Sequence, residues 1–90
     1  MNELPMITPY ILYILRCNDG TLYTGITNNL DKRILEHNTS DKGAKYTRYR
    51  RPVILVYQEA CMDKSTALKR ELVIKKMSRQ QKNDLLSLSP

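Results

Sequence analysis

The chain has no long hydrophobic run and only two cysteines. No stretch approaches the roughly eighteen consecutive apolar residues of a membrane-spanning helix, so we expect no membrane insertion. Residues 1–9 lack the basic start and apolar core of a signal peptide, and we therefore expect a cytoplasmic location. Cys17 and Cys61 do not have the spacing of metal ligands, which predicts reduced thiols instead of a zinc site or a disulfide.

Acidic residues are outnumbered by basic ones. The 15 lysines and arginines face 9 aspartates and glutamates, which gives a net charge of +6. This excess predicts an anionic partner, and nucleic acid is the most common one. The 90 residues leave room for one domain with a modest core, which we place at 10–88, after a lead-in at 1–9 without assigned function.

Two apolar runs predict a β-hairpin. They flank the turn sequence Asn-Asp-Gly at 18–20 and predict strands at 10–17 and 21–27. The first run is apolar on both faces, which is typical of a central strand covered on both sides. The second run has Leu22 and Ile26 on one face and polar or aromatic residues on the other, as the wall of a functional site would have.

The turn of this hairpin permits two registers. One has a two-residue Asp-Gly loop, and the other has a three-residue loop with Gly20 left-handed, which pairs Cys17 with Thr21. We favour the second, because Asn before Asp-Gly fits a type I turn closed by a glycine. The second register places Tyr13 and Tyr23 on the same face of the sheet, whereas the first places them on opposite faces.

A short helix follows the hairpin and ends near His37, with Asn28 or Asn29 as its cap. At 100° per residue, one stripe of this helix contains Leu30, Arg33, Ile34 and His37. The two aliphatic residues are expected to bury against the sheet. Arg33 and His37 then lie at the edge of that buried face, near the two tyrosines.

These residues resemble a known family. The chain carries Tyr13, then Tyr23-Thr24-Gly25, then Arg33 and His37, a pattern similar to the GIY-YIG nuclease domain and closest to its small stand-alone bacterial UPF0213-type members. The resemblance covers residues 9–84. The chain departs from the family name at two points, because Ile-Leu-Tyr replaces Gly-Ile-Tyr at 11–13 and Thr24 replaces the middle isoleucine.

The later half of the chain predicts one more strand and two helices. Pro52 precedes the apolar run 53–57, which we expect to pair with strand one. A helix at 64–77 has Asp63 or Ser65 as its cap, and the capping box at 78–81 begins a last helix that runs to about Leu86. We predict an α+β fold, a three-stranded antiparallel sheet flanked by helices in the order β-β-α-β-α-α.

Glu71 lies on a largely apolar stripe of the 64–77 helix. A buried carboxylate needs a cation or several donors, and Lys75 at i+4 offers a structural salt bridge. The family resemblance implies instead that Glu71 binds one divalent ion, Mg²⁺ or Mn²⁺. Asn83 lies where some family members carry an active-site asparagine, and the alternative is an exposed helix residue.

The resemblance also implies roles for the other candidate residues. Arg33 would bind the phosphate, Tyr23 would position the water or phosphate, and either Tyr13 or His37 would act as general base. From the pattern alone, the tyrosines would be core aromatics and Arg33 an exposed helix residue. A lone histidine, as here, is usually neither ligand nor catalyst.

The segment 39–51 is basic and aromatic. It predicts a nucleic-acid surface, because cations meet phosphates and tyrosines stack on unpaired bases, and the resemblance puts it close to the active-site groove. A solvated connector whose tyrosines cover the core is the alternative. The expected contact residues are Lys42, Lys45, Tyr46, Arg48, Tyr49, Arg50 and Arg51.

The resemblance, together with the basic charge, implies a metal-dependent endonuclease that hydrolyses phosphodiester bonds, with DNA as the expected nucleic acid. Two other classes stay open. One is a nucleic-acid-binding module with this fold and no turnover, and the other is an interaction protein whose basic surface binds an acidic protein. No protein partner is evident from the sequence.

Overall fold

The computed structural model describes residues 9–88. The strands are β1 (Tyr10–Arg16), β2 (Leu22–Thr27) and β3 (Ile54–Cys61), and the helices are α1 (Leu30–Thr39), α2 (Lys45–Arg48), α3 (Lys64–Lys75) and α4 (Arg79–Ser87). The sheet order is β2-β1-β3, and both neighbours run antiparallel to β1. The predicted α+β fold and central first strand are confirmed, whereas the lead-in, apart from Pro9, lies outside the described residues.

The hairpin has the predicted three-residue loop. Tyr13 lies opposite Gly25, and Leu15 lies opposite Tyr23. The backbone N–H of Cys17 donates to the carbonyl oxygen of Thr21 at 2.9 Å, and Gly20 has a left-handed φ of +83°. The two candidate tyrosines therefore project from the same face of the sheet.

Strand β1 is buried on both faces, and each face has its own cluster. Leu12 and Ile14 pack with Ala67 and Ile74 of α3. On the other face, Tyr13, Leu15 and Cys17 pack with Val53 and with the half-buried Leu30 and Ile34 of α1. The alternation of the strand thus assigns Tyr13 to the side that carries α1.

Polar side chains begin the three longer helices. Asn29, and not Asn28, caps α1 by accepting from Lys32 N at 3.2 Å. Asp63 caps α3 by accepting from Thr66 N at 2.8 Å, and Ser78 begins α4 with the predicted capping box. No helix within 9–88 is both long and apolar enough to cross a membrane.

Two elements differ from the prediction. β3 continues to Cys61 instead of ending at Tyr57, because its second half pairs with β1 and Glu59 is held by Arg70 of α3 at 2.6 Å. Gln-Glu-Ala has a low strand propensity, and these tertiary contacts override it. The segment 39–51 is not wholly irregular, since one turn of helix, α2, lies within it.

Candidate active site

Gly25 leaves space for the phenol of Tyr13. A Cβ atom built on Gly25 would lie 2.5 Å from Tyr13 Oη and 2.7 Å from Tyr13 Cζ. Any side chain at this position would therefore displace the ring. Because Gly25 has no side chain, the phenol of Tyr13 on β1 can lie over the backbone of β2.

Three rings meet on this face of the sheet. The ring centroids of Tyr13 and Tyr23 are 6.4 Å apart, those of Tyr13 and His37 5.7 Å, and those of Tyr23 and His37 5.2 Å. The tyrosines come from β1 and β2, and His37 comes from the last turn of α1. The structure thus brings together three of the sequence-predicted residues.

Hydrogen bonds connect these rings to the segment after α1. Tyr13 Oη lies 2.8 Å from His37 Nε2, and His37 Nδ1 lies 2.8 Å from Thr47 Oγ1. Thr47 Oγ1 also donates to the carbonyl oxygen of Ala44 at 2.9 Å. Tyr13, His37 and Thr47 are at most 1% exposed, so these contacts are shielded from solvent.

Burial keeps both titratable rings neutral at pH 7. It raises the pKa of Tyr13 to about 12, against a smaller opposing effect of the neighbouring Arg33 guanidinium. It also lowers the pKa of His37 to about 4, and the positive charge of Arg33 acts in the same direction. An uncharged imidazole therefore faces an uncharged phenol.

Arg33 borders the ring cluster and is partly anchored. Its Nη1 donates to the carbonyl oxygen of Lys42 at 2.7 Å and to Glu36 Oε1 at 3.3 Å. The side chain is 27% exposed, so part of the guanidinium faces solvent. Arg33 is thus both held in place and accessible to an anion.

Glu71 of α3 acts on the same phenol. Burial is the largest cause of the raised pKa of Tyr13, and the negative charge of Glu71 is the smallest of the causes that raise it. Its side chain is 19% exposed, and Oε2 lies 3.4 Å from Nζ of Lys75, whose own side chain is 52% exposed. The salt bridge that the pattern allowed does form, although its cation is well solvated.

The described residues contain no group of three or more His, Cys, Asp or Glu side chains that could hold a metal ion. This excludes a site built like a structural zinc centre from those residues. Mg²⁺, however, is often bound by one or two carboxylates, several waters and the phosphate of the substrate. The half-buried Glu71 carboxylate fits that kind of site.

Part of the basic segment packs against the ring cluster. The ring of Tyr46 stacks on that of Tyr23, with centroids 6.0 Å apart and an interplanar angle of 27°. The guanidinium carbon of Arg50 lies 3.9 Å from the centroid of the Tyr46 ring, and Arg50 Nε lies 3.0 Å from Asp19 Oδ2. A stacked column thus runs from the site to the tip of the hairpin.

The remaining basic residues divide into two groups. Arg51 donates to the carbonyl oxygens of Glu36, His37 and Ser40, so its guanidinium caps the end of α1 and we leave it out of the proposed contact surface. Arg50 is held as described above. The other basic residues of the segment, Lys42, Lys45 and Arg48, have exposed side chains, and so does the aromatic Tyr49.

Sequence reasoning missed Thr47 and Gly43. Thr47 is one of several hydroxyl residues in the chain, and no periodicity links it to His37. A Cβ atom on Gly43 would lie 2.8 Å from both Glu36 O and His37 Cα, so a glycine lets the segment return close to α1. Asn83 is exposed, and its Oδ1 accepts from Arg79 Nε at 3.2 Å.

The fold and this cluster define a class of protein. The family model described as the GIY-YIG catalytic domain matches residues 9–84, and the chain belongs to the GIY-YIG family. The family is one of nuclease domains, which indicates nucleic acid as the substrate class.

Similar proteins are small members that carry the name UPF0213. A UPF0213 protein of Desulfotalea psychrophila is 58% identical over 80 residues, which cover 89% of this chain and 73% of the relative. One of Staphylococcus saprophyticus is 55% identical over 78 residues, covering 87% and 94%. The solution NMR structure of a UPF0213 protein from Bacillus halodurans is 46% identical, with a TM-score of 0.60 and coverage of 90% and 85%.

Proposed function

We propose that the protein is a divalent-metal-dependent endonuclease that hydrolyses phosphodiester bonds, with DNA as its expected substrate. The observation that carries this proposal is the 2.8 Å contact between Tyr13 Oη and His37 Nε2, beside Arg33 and within the influence of Glu71. Phosphodiester cleavage needs an activated water, stabilised phosphoryl charge and help for the leaving oxygen. The candidate residues offer one group for each of these requirements.

Tyr13 and His37 would act together as the general base, in a proton relay. Nε2 of His37 already faces Tyr13 Oη at 2.8 Å, and Nδ1 faces Thr47 Oγ1, so we assign the contact with the attacking water to the phenol. Tyr13 Oη takes a proton from the water while its own proton moves to His37 Nε2. A relay of this kind removes the need for a free phenolate, which a pKa of about 12 makes rare at neutral pH.

Arg33 would bind the phosphate. Nη1 is anchored by the carbonyl oxygen of Lys42 at 2.7 Å, so the rest of the guanidinium is presented in a defined direction. A planar guanidinium can hold two phosphoryl oxygens and stabilise the charge that builds on them. Tyr23 lies next to both other rings and is our candidate for positioning the water or the phosphate.

Glu71 would hold the metal ion. A single carboxylate with bound waters suits Mg²⁺ or Mn²⁺, for which oxygen ligands are preferred. When bound, the ion supplies a Lewis acid for the phosphate and for the leaving oxygen. Tyr23 on β2 and Arg33 on α1 would orient the substrate. Glu71 would add the metal ligand from α3.

One observation favours a second candidate function, a nucleic-acid-binding module without turnover. Burial holds the pKa of Tyr13 at about 12, so the phenol is not by itself a ready base. The two functions share the basic surface and differ in chemistry. Cleavage therefore separates them, and binding does not.

The proposal is tested with labelled single-stranded, duplex and branched nucleic acids, incubated with Mg²⁺, with Mn²⁺ and with a chelator. We expect metal-dependent internal cleavage of at least one DNA substrate. Tyr13→Phe keeps the buried ring and removes the hydroxyl, so we expect the rate to fall by about 10²–10⁴-fold. The matched control is Tyr10→Phe, since Tyr10 lies on the opposite face of β1 and packs with the other cluster.

The outcome is decisive in either direction. Cleavage by the wild type and by Tyr10→Phe, with loss in a folded Tyr13→Phe, supports the nuclease. Salt-sensitive binding to these substrates without cleavage by the wild type would leave the binding module as the better account.

A further inference from the structure

Each ring nitrogen of His37 lies within hydrogen-bond distance of a hydroxyl group. Its Nε2 lies 2.8 Å from Tyr13 Oη, and its Nδ1 lies 2.8 Å from Thr47 Oγ1. A neutral imidazole carries its proton on one of these nitrogens, and the partners of the ring determine which one. The neutral form is the relevant one here, because burial lowers the pKa of His37 to about 4.

The Tyr13 side requires an unprotonated Nε2. A buried hydroxyl needs an acceptor for its proton, and Nε2 is the acceptor that Tyr13 Oη contacts. The neighbouring Arg33 guanidinium has no acceptor to offer, because it carries only N–H donors. The phenol therefore donates to Nε2, and the ring proton is left for Nδ1.

The Thr47 side supplies an acceptor for that ring proton. Thr47 Oγ1 has one proton, which goes to the carbonyl oxygen of Ala44 at 2.9 Å. Its lone pairs are then free to accept from His37 Nδ1–H at 2.8 Å. Every hydrogen in the resulting chain, from Tyr13 through His37 and Thr47 to Ala44, points in the same direction.

We propose that Thr47 is a positioning residue that holds His37 as the Nδ1–H tautomer, so that Nε2 can accept the proton of Tyr13. The catalytic consequence rests on the proposed function, whereas the tautomer itself does not. The backbone N–H of Ala44 also points at Nδ1, but at 3.4 Å it is the longer of the two contacts in the wild type. Without the Thr47 hydroxyl, Nδ1 loses its acceptor and this N–H remains. That N–H favours the other tautomer, in which Nε2–H donates to Tyr13 and cannot accept from it.

The tautomer is measured by long-range ¹H–¹⁵N NMR of the imidazole, without substrate or metal. His37 is the single histidine of the chain, so its signals need no assignment against other rings. We expect protonated Nδ1 and unprotonated Nε2 in the wild type and in Thr47→Ser, and the reverse in Thr47→Val. Thr39→Val is the matched control, because Thr39 lies on α1 two residues after His37 and its hydroxyl donates to the carbonyl oxygen of Leu35 instead.

The cleavage rate and its pH profile form the second readout. We expect Thr47→Val to lower the rate at saturating substrate by at least about 10-fold, with Thr47→Ser recovering most of it and Thr39→Val unaffected. A wild-type ring protonated at Nε2 would overturn the proposal, and so would Thr47→Val with the wild-type tautomer and pH profile. If Thr47→Val does not fold, a wild-type ring protonated at Nε2 still overturns the proposal, and Thr47→Ser with the wild-type tautomer still supports it. If the wild type cleaves nothing, the proposed function fails while the tautomer remains decided.

Discussion

His37 carries a neutral ring in the folded protein, because burial opposes its charge. Its pKa falls from an ordinary value of 6.5 to about 4. Between these two values the unfolded chain binds more protons at His37 than the folded one does. Stability therefore rises with pH across this window and is lost on acidification from about 6.5 to about 4.

We expect His37 to account for up to about 3 kcal/mol of the free energy of unfolding lost over this range. The measurement is urea denaturation of the wild type and of His37→Gln at pH 7 and at pH 4. The pKa values of Asp19 and Asp63 lie below their usual range as well, but these exposed carboxyls titrate in both proteins. Equal losses of stability in the two proteins would show that His37 does not titrate as a buried neutral group.

Arg33 is predicted to need its planar guanidinium. Arg33→Lys keeps the charge but loses the fork that can hold two phosphoryl oxygens, so we expect the cleavage rate to fall by roughly 10²–10³-fold. Arg16→Lys, at an exposed position of β1, is the control. The result is measured as cleavage under saturating metal, with circular dichroism to show folding. A wild-type rate in Arg33→Lys would mean that Arg33 supplies only charge.

Regular spacing explains which site residues can be predicted from the sequence. Arg33 and His37 share one face of a helix, and Tyr13 and Tyr23 share one face of a hairpin, so each pair follows from a period and a turn. Thr47 has no such relation to His37. Its contact depends on how the backbone returns past Gly43, which is a tertiary property that spacing does not encode.

At the scale of elements, the basic segment combines support and exposure. Arg50 packs on and hydrogen-bonds to Tyr46, and Arg51 donates to the carbonyl oxygens at the end of α1. Both therefore support the residues that surround the site. Lys42, Lys45 and Arg48 have exposed side chains next to them. We infer that the phosphates of a nucleic acid would bind to these exposed cations.

Replacing Lys42, Lys45 and Arg48 together with glutamine should flatten the slope of log K against log[salt] by up to ~2–3 units. The reason is that each phosphate contact releases condensed counterions from the nucleic acid. The control triple replacement carries the same change of charge on exposed lysines of α3 and its cap, Lys64, Lys69 and Lys76. A slope and affinity unchanged in the first variant would remove the segment from the binding surface.

The strands illustrate the limit of local propensity. The hairpin register follows from Asn18-Asp19-Gly20, because few loops fit that turn sequence. The length of β3 does not follow from its residues. Its extension to Cys61 depends on pairing with β1 and on the contact between Glu59 and Arg70, both of which come from distant parts of the chain.

On the scale of the whole molecule, the proposed site joins the two faces of the sheet. Tyr13, Arg33 and His37 lie on the side of α1, whereas Glu71 comes from α3, which packs with the other cluster. Burial dominates the raised pKa of Tyr13, and the negative charge of Glu71 adds the smallest contribution to it. The proposed site takes residues from the hairpin, α1 and α3, so neither the hairpin nor a single helix contains it.

Glu71→Gln is the variant that tests the central claim. It keeps the size of the side chain but replaces a carboxylate by a neutral amide, which is a poor ligand for a hard dication. Lys75→Gln is the matched control, because it removes the same 3.4 Å salt bridge from the other side. A pair with so exposed a cation contributes little, about 0.5 kcal/mol or less, so Lys75→Gln should leave stability and cleavage close to the wild type.

The most direct measurement is therefore the cleavage rate of a DNA substrate against Mg²⁺ or Mn²⁺ concentration, for the wild type, Glu71→Gln and Lys75→Gln. We predict metal-dependent cleavage by the wild type and Lys75→Gln. A folded Glu71→Gln should show none while it still binds the nucleic acid, since removing a negative charge near a phosphate does not weaken binding. Cleavage by Glu71→Gln at the wild-type rate and with the wild-type metal dependence would contradict the account and make Glu71 a structural acid.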